Sequence, residues 1–383
     1  MTVAPVRLSE VCQIVMGQAP DGEAYNEVGD GWPLVAGAGD FGEGIPAPKK
    51  FTTIAPRRSN RGDIIFGVRA TIGEKVWSDG EYCLGRGVAA LRAGPDVLPR
   101  FLWHWLDQVR PVLDRKARGA TFKQVTREDI AELDFCRLSM LDQERIASIL
   151  DKADAIRQKR REILKLADEF PRSAFLDLFG DPVTNSKGWP KVLLGDYVEF
   201  MTSGSRGWAE YYAESGAAFL RIQNVGRNRL LLDDLAFVDT PDTTEARRTL
   251  VQPGDLLVSI TADLGRCAVV PDDLGRAHIN QHLALIRLRE LSPIFVSGLL
   301  DSEAGRRQFA RLNREGVKAG LNFDDLRSLE LLMPPITLQR KYEAMLRRAR
   351  GLEQAFNRQL GETEQLFGSL QYRAFNGELA ARG

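Results

Sequence analysis

Asp63 and Asp255 each follow a glycine in closely matched strings, Gly62-Asp63-Ile64-Ile65-Phe66 and Gly254-Asp255-Leu256-Leu257-Val258. A carboxylate at the start of an apolar strand is one part of a metal-dependent nuclease centre. No Glu-x-Lys partner follows at nuclease-like spacing, so both aspartates read as turn or strand-start residues. His278 and His282 flank Ile279-Asn280-Gln281, and a zinc site needs at least a third protein ligand. His104 lies inside Phe101-Leu102-Trp103-His104-Trp105-Leu106 and reads as a core or rim residue, not a general base. Phe41-Gly42-Glu43-Gly44 lacks the strand-then-helix frame of a nucleotide loop, and no GxxxxGK[ST] string is present. A tetrapeptide that methylates an amine needs an Asp or Asn for the amine and an aromatic for the flipped base. Met333-Pro334-Pro335-Ile336 supplies neither. Cys12, Cys83, Cys136 and Cys267 form no CxxC pair, which fits reduced thiols better than disulfides or zinc. These residues predict a non-catalytic chain with no metal and no cofactor of its own.

What they do predict is duplication. The match between the two aspartate strings runs without a gap to Gly73 and Gly265, and further on Leu141-Asp142-Gln143 matches Thr337-Leu338-Gln339. A repeat of roughly two hundred residues is far longer than a solenoid unit. It predicts two similar domains, each followed by a similar helix. The expected divisions are a first domain over residues 1–141, a central helix over 142–180, a linker over 181–190, a second domain over 191–337 and a C-terminal helix over 338–380. The expected class is mixed α+β: two similar α/β domains separated by a pair of long antiparallel coiled-coil helices, pseudo-two-fold symmetric.

The helices are read from their stripes. Ile146, Ile149, Ala153, Ile156, Ile163, Ala167, Phe170 and Ala174 alternate three and four apart, with Arg160 at the one polar position. The corresponding stripe is Tyr342, Met345, Ala349, Leu352, Phe356, Gln359, Thr363, Leu366 and Leu370. Arg160 thus corresponds to Phe356 in the repeat, and Ile163 to Gln359. Such unlike seams suit two helices packed on each other more than two helices each covering its own domain. Pro171 should kink or break the first. A helix of about 30 residues spans about 45 Å. DNA half-sites one turn apart are about 34–36 Å apart, so the pair is a plausible ruler for two DNA-reading domains.

Net charge is +0, which argues against a uniformly basic nucleic-acid binder. Its distribution is less even, because residues 49–127 carry sixteen Lys or Arg against seven Asp or Glu. Such a block suits either a phosphate-facing surface or an ordinary solvated face. No apolar run approaches a membrane span, and the N-terminus has no apolar signal core, so the expectation is a soluble cytoplasmic protein.

Four segments in order resemble the specificity (S) subunit of Type I restriction–modification systems. They are Gln143-Glu144-Arg145-Ile146-Ala147-Ser148-Ile149-Leu150-Asp151-Lys152-Ala153-Asp154, then Phe179-Gly180-Asp181-Pro182 through Lys187-Gly188-Trp189-Pro190. Gly254-Asp255-Leu256-Leu257-Val258-Ser259 with Asn280-Gln281-His282 follows, and then the tail Phe375-Asn376-Gly377-Glu378-Leu379. The resemblance implies two target-recognition domains, each reading half of a split DNA site through the major groove. It implies that the helices set the spacer and dock two methyltransferase subunits, which bring S-adenosylmethionine. Two motor–nuclease subunits are possible further partners, and no membrane is involved.

Base readout calls for Arg or Lys on guanine and Asn or Gln on adenine. The candidates are Arg69, Arg86 and Lys123 in the first domain, and Gln223, Asn224, Arg227, Gln281, His282 and Lys318 in the second. Arg57, Arg58, Lys116 and Arg118 sit in charge runs that suit phosphate contact. Asn280-Gln281 also suits a turn whose side chains satisfy the backbone. The competing readings are a coiled-coil scaffold without DNA binding and a stand-alone DNA-modifying enzyme.

Overall fold

The structure, a computed structural model, describes residues 5–119, 121–313, 320–376 and 378–379. The chain divides into two compact units, Met1–Arg161 with Arg358–Gly383, and Glu162–Asn357. Two helices, Met140–Phe179 and Ile336–Phe375, each contribute one half to each unit.

In the first unit an antiparallel sheet runs in the order Cys12–Met16, Val88–Ala93, Ile64–Gly67, Lys75–Trp77. A second sheet has the order Tyr25–Asn26, Phe51–Thr52, Trp32–Val35, Cys83–Leu84. The strand Ile64–Gly67 is apolar throughout because both its faces are covered. Ile64 and Phe66 pack with Leu91, Phe101 and Trp105 on the side of helix Pro99–Lys116, while Ile65 packs with Val35, Val76 and Leu84 on the other.

The second unit repeats this plan. Its sheets run Val198–Ser203, Leu283–Leu288, Leu256–Ser259, Cys267–Val269 and Tyr212–Ala213, Ala236–Val238, Ala217–Leu220, Ala277–Ile279. Leu256 and Val258 face one cluster, Leu257 the other. Helices Pro293–Asp301 and Glu303–Leu312 stand where the first unit has the single helix Pro99–Lys116.

Asp63 and Asp255 are strand-start residues with a structural partner. Each is buried and accepts two bonds from one guanidinium, Arg92 on Asp63 (2.8 and 2.8 Å) and Arg287 on Asp255 (2.9 and 2.9 Å). Each also takes a backbone N–H, from Asn60 and Gln252 respectively (2.7 Å in both). A paired, hydrogen-bonded carboxylate is how a strand tolerates a buried charge. His104 is likewise a core residue, its Nε2 at 2.8 Å from Asp151.

Within each unit the two helix halves run antiparallel. In the first, Arg161 pairs with Glu364 (2.7 Å), Arg160 donates to the Gln359 carbonyl and Thr363 hydroxyl, and Arg157 lies 4.1 Å above the Phe367 ring. In the second, the Tyr342 hydroxyl donates to the Pro171 carbonyl (3.2 Å) and its ring meets Phe175 and Phe179 edge-on. The helix runs unbroken through Pro171, where a kink or a break was expected. The proline leaves the Ala167 carbonyl without its N–H donor, but tertiary contacts hold the turn in place.

The seam itself requires correction. Ile146 and Tyr342 are buried, and Ile149, Ala153, Phe170, Met345, Phe356 and Leu370 are partly so. Ile156, Ile163, Leu352 and Leu366, expected in the seam, are 51%, 37%, 54% and 57% exposed. The better-covered row lies one residue further along, with Leu150, Leu346 and Phe367 buried and Arg157, Leu164, Glu353 and Leu360 half-buried. The true heptad therefore puts Arg157 where isoleucine looked more apt. Its stem and guanidinium cover the Phe367 ring while Asp154 takes its charge at 2.7 Å.

Candidate nucleic-acid interface

Two long-helix glutamines anchor the frame. Gln143 is buried, accepts the Leu98 N–H (2.8 Å) and donates to the Asp96 and Leu138 carbonyls (2.9 and 3.0 Å). Gln339 accepts the Ser292 N–H (3.0 Å) and donates to the Pro334 carbonyl (2.9 Å). Leu98 and Ser292 are the N-caps of helices Pro99–Lys116 and Pro293–Asp301. Each glutamine thus satisfies a helix terminus that would otherwise be an unpaired buried donor.

At the far end of the main strands the loops are tied by the same backbone bonds in both units. Val68 N–H donates to the Gly87 carbonyl (2.9 Å), and Ile260 N–H to the His282 carbonyl (3.0 Å). Gly85 N–H donates to Val35 (2.8 Å), and Asn280 N–H to Leu220 (3.0 Å). Val125 N–H donates to Val68 (3.0 Å), and Leu321 N–H to Ile260 (2.9 Å). Gly85-Arg86-Gly87 and Asn280-Gln281-His282 therefore occupy one structural position with different side chains. A glycine admits the neighbouring loop in each unit. A Cβ on Gly17 would stand 2.1 Å from the Gly85 carbonyl oxygen, and one on Gly204 2.3 Å from the Asn280 backbone.

In the first unit this brings together Arg69, Arg86, Lys123 and Arg118. Arg69 and Arg118 both bridge to Gln124, and the Ala70 N–H donates to the Lys123 carbonyl (2.8 Å). Arg69 lies 5.4 Å above the ring of Phe122. Arg118 also approaches Asp129 (3.8 Å). Burial raises the Asp129 pKa, but Thr126 N–H and hydroxyl bonds and the Arg118 charge outweigh it and hold the pKa below the usual range. Arg57 and Arg58 lie one strand away. The Arg57 carbonyl accepts from Leu84 N–H (2.8 Å), while Arg58 pairs with Glu81 (2.9 Å) and covers Trp32 at 5.2 Å. Lys116 ends its helix, half-buried.

In the second unit Gln281 and His282 share the corresponding rim. The Gln281 amide donates to His282 Nε2 (3.0 Å), so His282 Nδ1–H donates to the Thr261 hydroxyl (2.6 Å). Both ring nitrogens of His282 are engaged, and it orients Gln281. The Asn280 side chain accepts the His282 N–H (3.1 Å), a turn contact.

Asn224 does not fit base contact. It is buried, accepts the Arg221 N–H (3.0 Å) and donates to the Leu231 and Asp234 carbonyls (3.0 Å each). Its counterpart is Asp40, which accepts the Ala36 N–H (2.8 Å). The same hairpin follows in each unit, Gly42 N–H on Ile45 (2.8 Å) and Gly226 N–H on Arg229 (2.9 Å). Phe41-Gly42-Glu43-Gly44 is therefore a hairpin tip rather than a nucleotide loop. Gln223 is exposed at 3.4 Å from Asp234. Arg227 lies apart from Gln281, in a cleft of about 1360 Å³ lined also by Asp301, Arg306, Tyr342 and Arg350. There Arg229 binds Asp168 (3.0 Å) and Arg350 donates to the Asn228 carbonyl (2.7 Å), which docks the tip on the long helices. Lys318 lies outside the described residues.

Sequence reasoning passed over Phe122, Gln18 and Arg206, all exposed on loops tied to this rim. The one available signal was Thr121-Phe122-Lys123, an aromatic beside a cation in a turn. Among the described residues no group of His, Cys, Asp and Glu could hold a metal, and no helix is long and apolar enough to cross a membrane.

Residues 2–166 match the Type I restriction modification DNA specificity domain. The chain is 28% identical over 159 residues to the type I restriction enzyme MjaX specificity subunit of Methanocaldococcus jannaschii, covering 40% of this chain and 37% of that one. It is 19% identical over 354 residues to the EcoBI specificity subunit of Escherichia coli, covering 84% and 74%. Its fold is that of the S subunit from M. genitalium (TM-score 0.61, 14% identity, 97% and 95% covered). It also matches a chain from a study of assembly and conformational transition in the type I system (TM-score 0.58, 20% identity, 97% of each). These matches bear out the resemblance read from the ordered motifs, and both curated relatives are named as specificity subunits.

Proposed function

We propose that this chain, which carries the Type I specificity domain over residues 2–166, reads a bipartite DNA site and scaffolds the subunits that act there. The observation that carries the reading is the shared rim. Two units hold it with the same backbone bonds yet present Gly85-Arg86-Gly87 in one and Asn280-Gln281-His282 in the other. A conserved frame with exchanged donors and acceptors is what reading two different half-sites requires. Each long helix belongs to both units, which suits a spacer element. Two methyltransferase subunits docked on it would bring S-adenosylmethionine and methylate adenine, and two motor–nuclease subunits are further partners.

Long-read detection of modified adenines in cells with and without this chain tests the reading. The expected result is one split motif that vanishes with the chain. A gel shift at stated salt separates DNA reading from a scaffold that binds no DNA. Adenine methylation by the purified chain alone would contradict it.

A further inference from the structure

We infer that Phe122 reads a thymine methyl group in the half-site bound by the first unit, an inference that rests on the DNA-reading function proposed above. Phe122 is 54% exposed, an unusual placement for a ring that could bury its surface in the adjoining core. It is not adrift. Arg69 stacks over it at 5.4 Å, and the turn that carries it is closed by the bridges Arg69–Gln124 and Arg118–Gln124. Its neighbours on that rim are therefore cations, Arg69, Arg118 and Lys123, with Arg86 on the loop tied to Val68.

Arginine and lysine supply donors for guanine and for phosphate, but none of them reads the C5 methyl of thymine. That methyl is the one apolar feature of the major-groove edge, and an apolar side chain is its partner. A ring with one face held by a guanidinium presents its remaining surface in a fixed orientation, at little entropic cost on binding. Counting back from the equivalent residues Gln124 and Gly320, which form matching bridges to Arg69 and Thr261, the second domain carries Lys318 at this place in its sequence.

The test is a cycle between protein and DNA, using the full chain assembled with its methyltransferase partner. Each thymine of the first half-site, on either strand, is replaced in turn by uracil, which removes only the methyl. One replacement should weaken wild-type binding about fourfold, the value of one buried methyl. The same replacement should be silent in Phe122→Ala, and Phe122→Leu should retain part of the effect. The slope of affinity against salt should not change in Phe122→Ala, since no phosphate contact is lost. Uracil effects of equal size in wild type and Phe122→Ala, or no uracil effect at any first-half thymine, would overturn the inference and leave the DNA-reading function standing. Loss of site-specific binding by the wild-type assembly would instead overturn that function, and the inference with it.

Discussion

Asp255 is held by the Arg287 guanidinium and the Gln252 N–H with almost no exposure to water. Removing its charge leaves a partly buried arginine without its counter-charge, the costly way to break such a pair. Asp255→Asn should lower the unfolding free energy by about 3–5 kcal/mol in urea titrations. His278 offers a pH-dependent counterpart. Burial first, then the nearby Arg276 charge, lower its pKa from 6.5 to about 4. Its ring is neutral in the fold, between the hydroxyls of Thr240 and Thr249 and beside Trp208. The unfolded chain takes up a proton there between pH 6.5 and about 4 that the folded chain refuses. The stability this residue contributes is therefore full above pH 6.5 and falls as pH drops toward 4. Thermal melts at pH 7.5 and 5 should show an acid loss for wild type that is smaller in His278→Gln. An equal loss in both would show that another group titrates.

The long helices show what a stripe can and cannot disclose. The row Ile146, Ala153, Arg160, Ala167, Ala174 is buried or half-buried along its length, since it belongs to the stripe whichever neighbour row is chosen. The second row was displaced by one residue because Ile156 and Ile163 look more apolar than Arg157. Hydropathy alone cannot see that an arginine will lie on the Phe367 ring of a helix two hundred residues away. The displacement then passed to the other helix, where Leu352 and Leu366 stood in for Glu353 and Phe367. The corrected register makes a direct prediction. Leu150→Ala, in the buried row, should cost about 2–5 kcal/mol, whereas Ile156→Ala should cost well under 1 kcal/mol. Comparable losses in the two variants, measured by chemical denaturation, would restore the earlier register.

Across the whole chain, the duplication was legible because it is written in residues that the fold itself needs. Asp63 and Asp255 appear in repeated strings since each starts a strand on a buried ion pair, and Gln143 and Gln339 recur since each caps a buried helix end. The reading residues were only partly legible, because loops vary where frames do not. Asn224 has the right chemistry for adenine, yet it is spent on the backbone of its own turn, as Asp40 is in the first unit. This separation of frame from rim predicts how specificity should respond to grafting. Exchanging the second rim for the first, by Asn280→Gly, Gln281→Arg and His282→Gly together, keeps the backbone bonds Asn280–Leu220 and Ile260–His282. It also removes the Thr261–His282 and Gln281–His282 contacts and the Asn280 side-chain bond to the His282 N–H, all within the rim loop. The methylated motif should then change in one half, with the other half and the spacer between them retained. Long-read mapping of modified adenines in cells carrying the grafted chain reads all three at once. A change in both halves, with the grafted protein folded and assembled, would mean that the two units do not read independently.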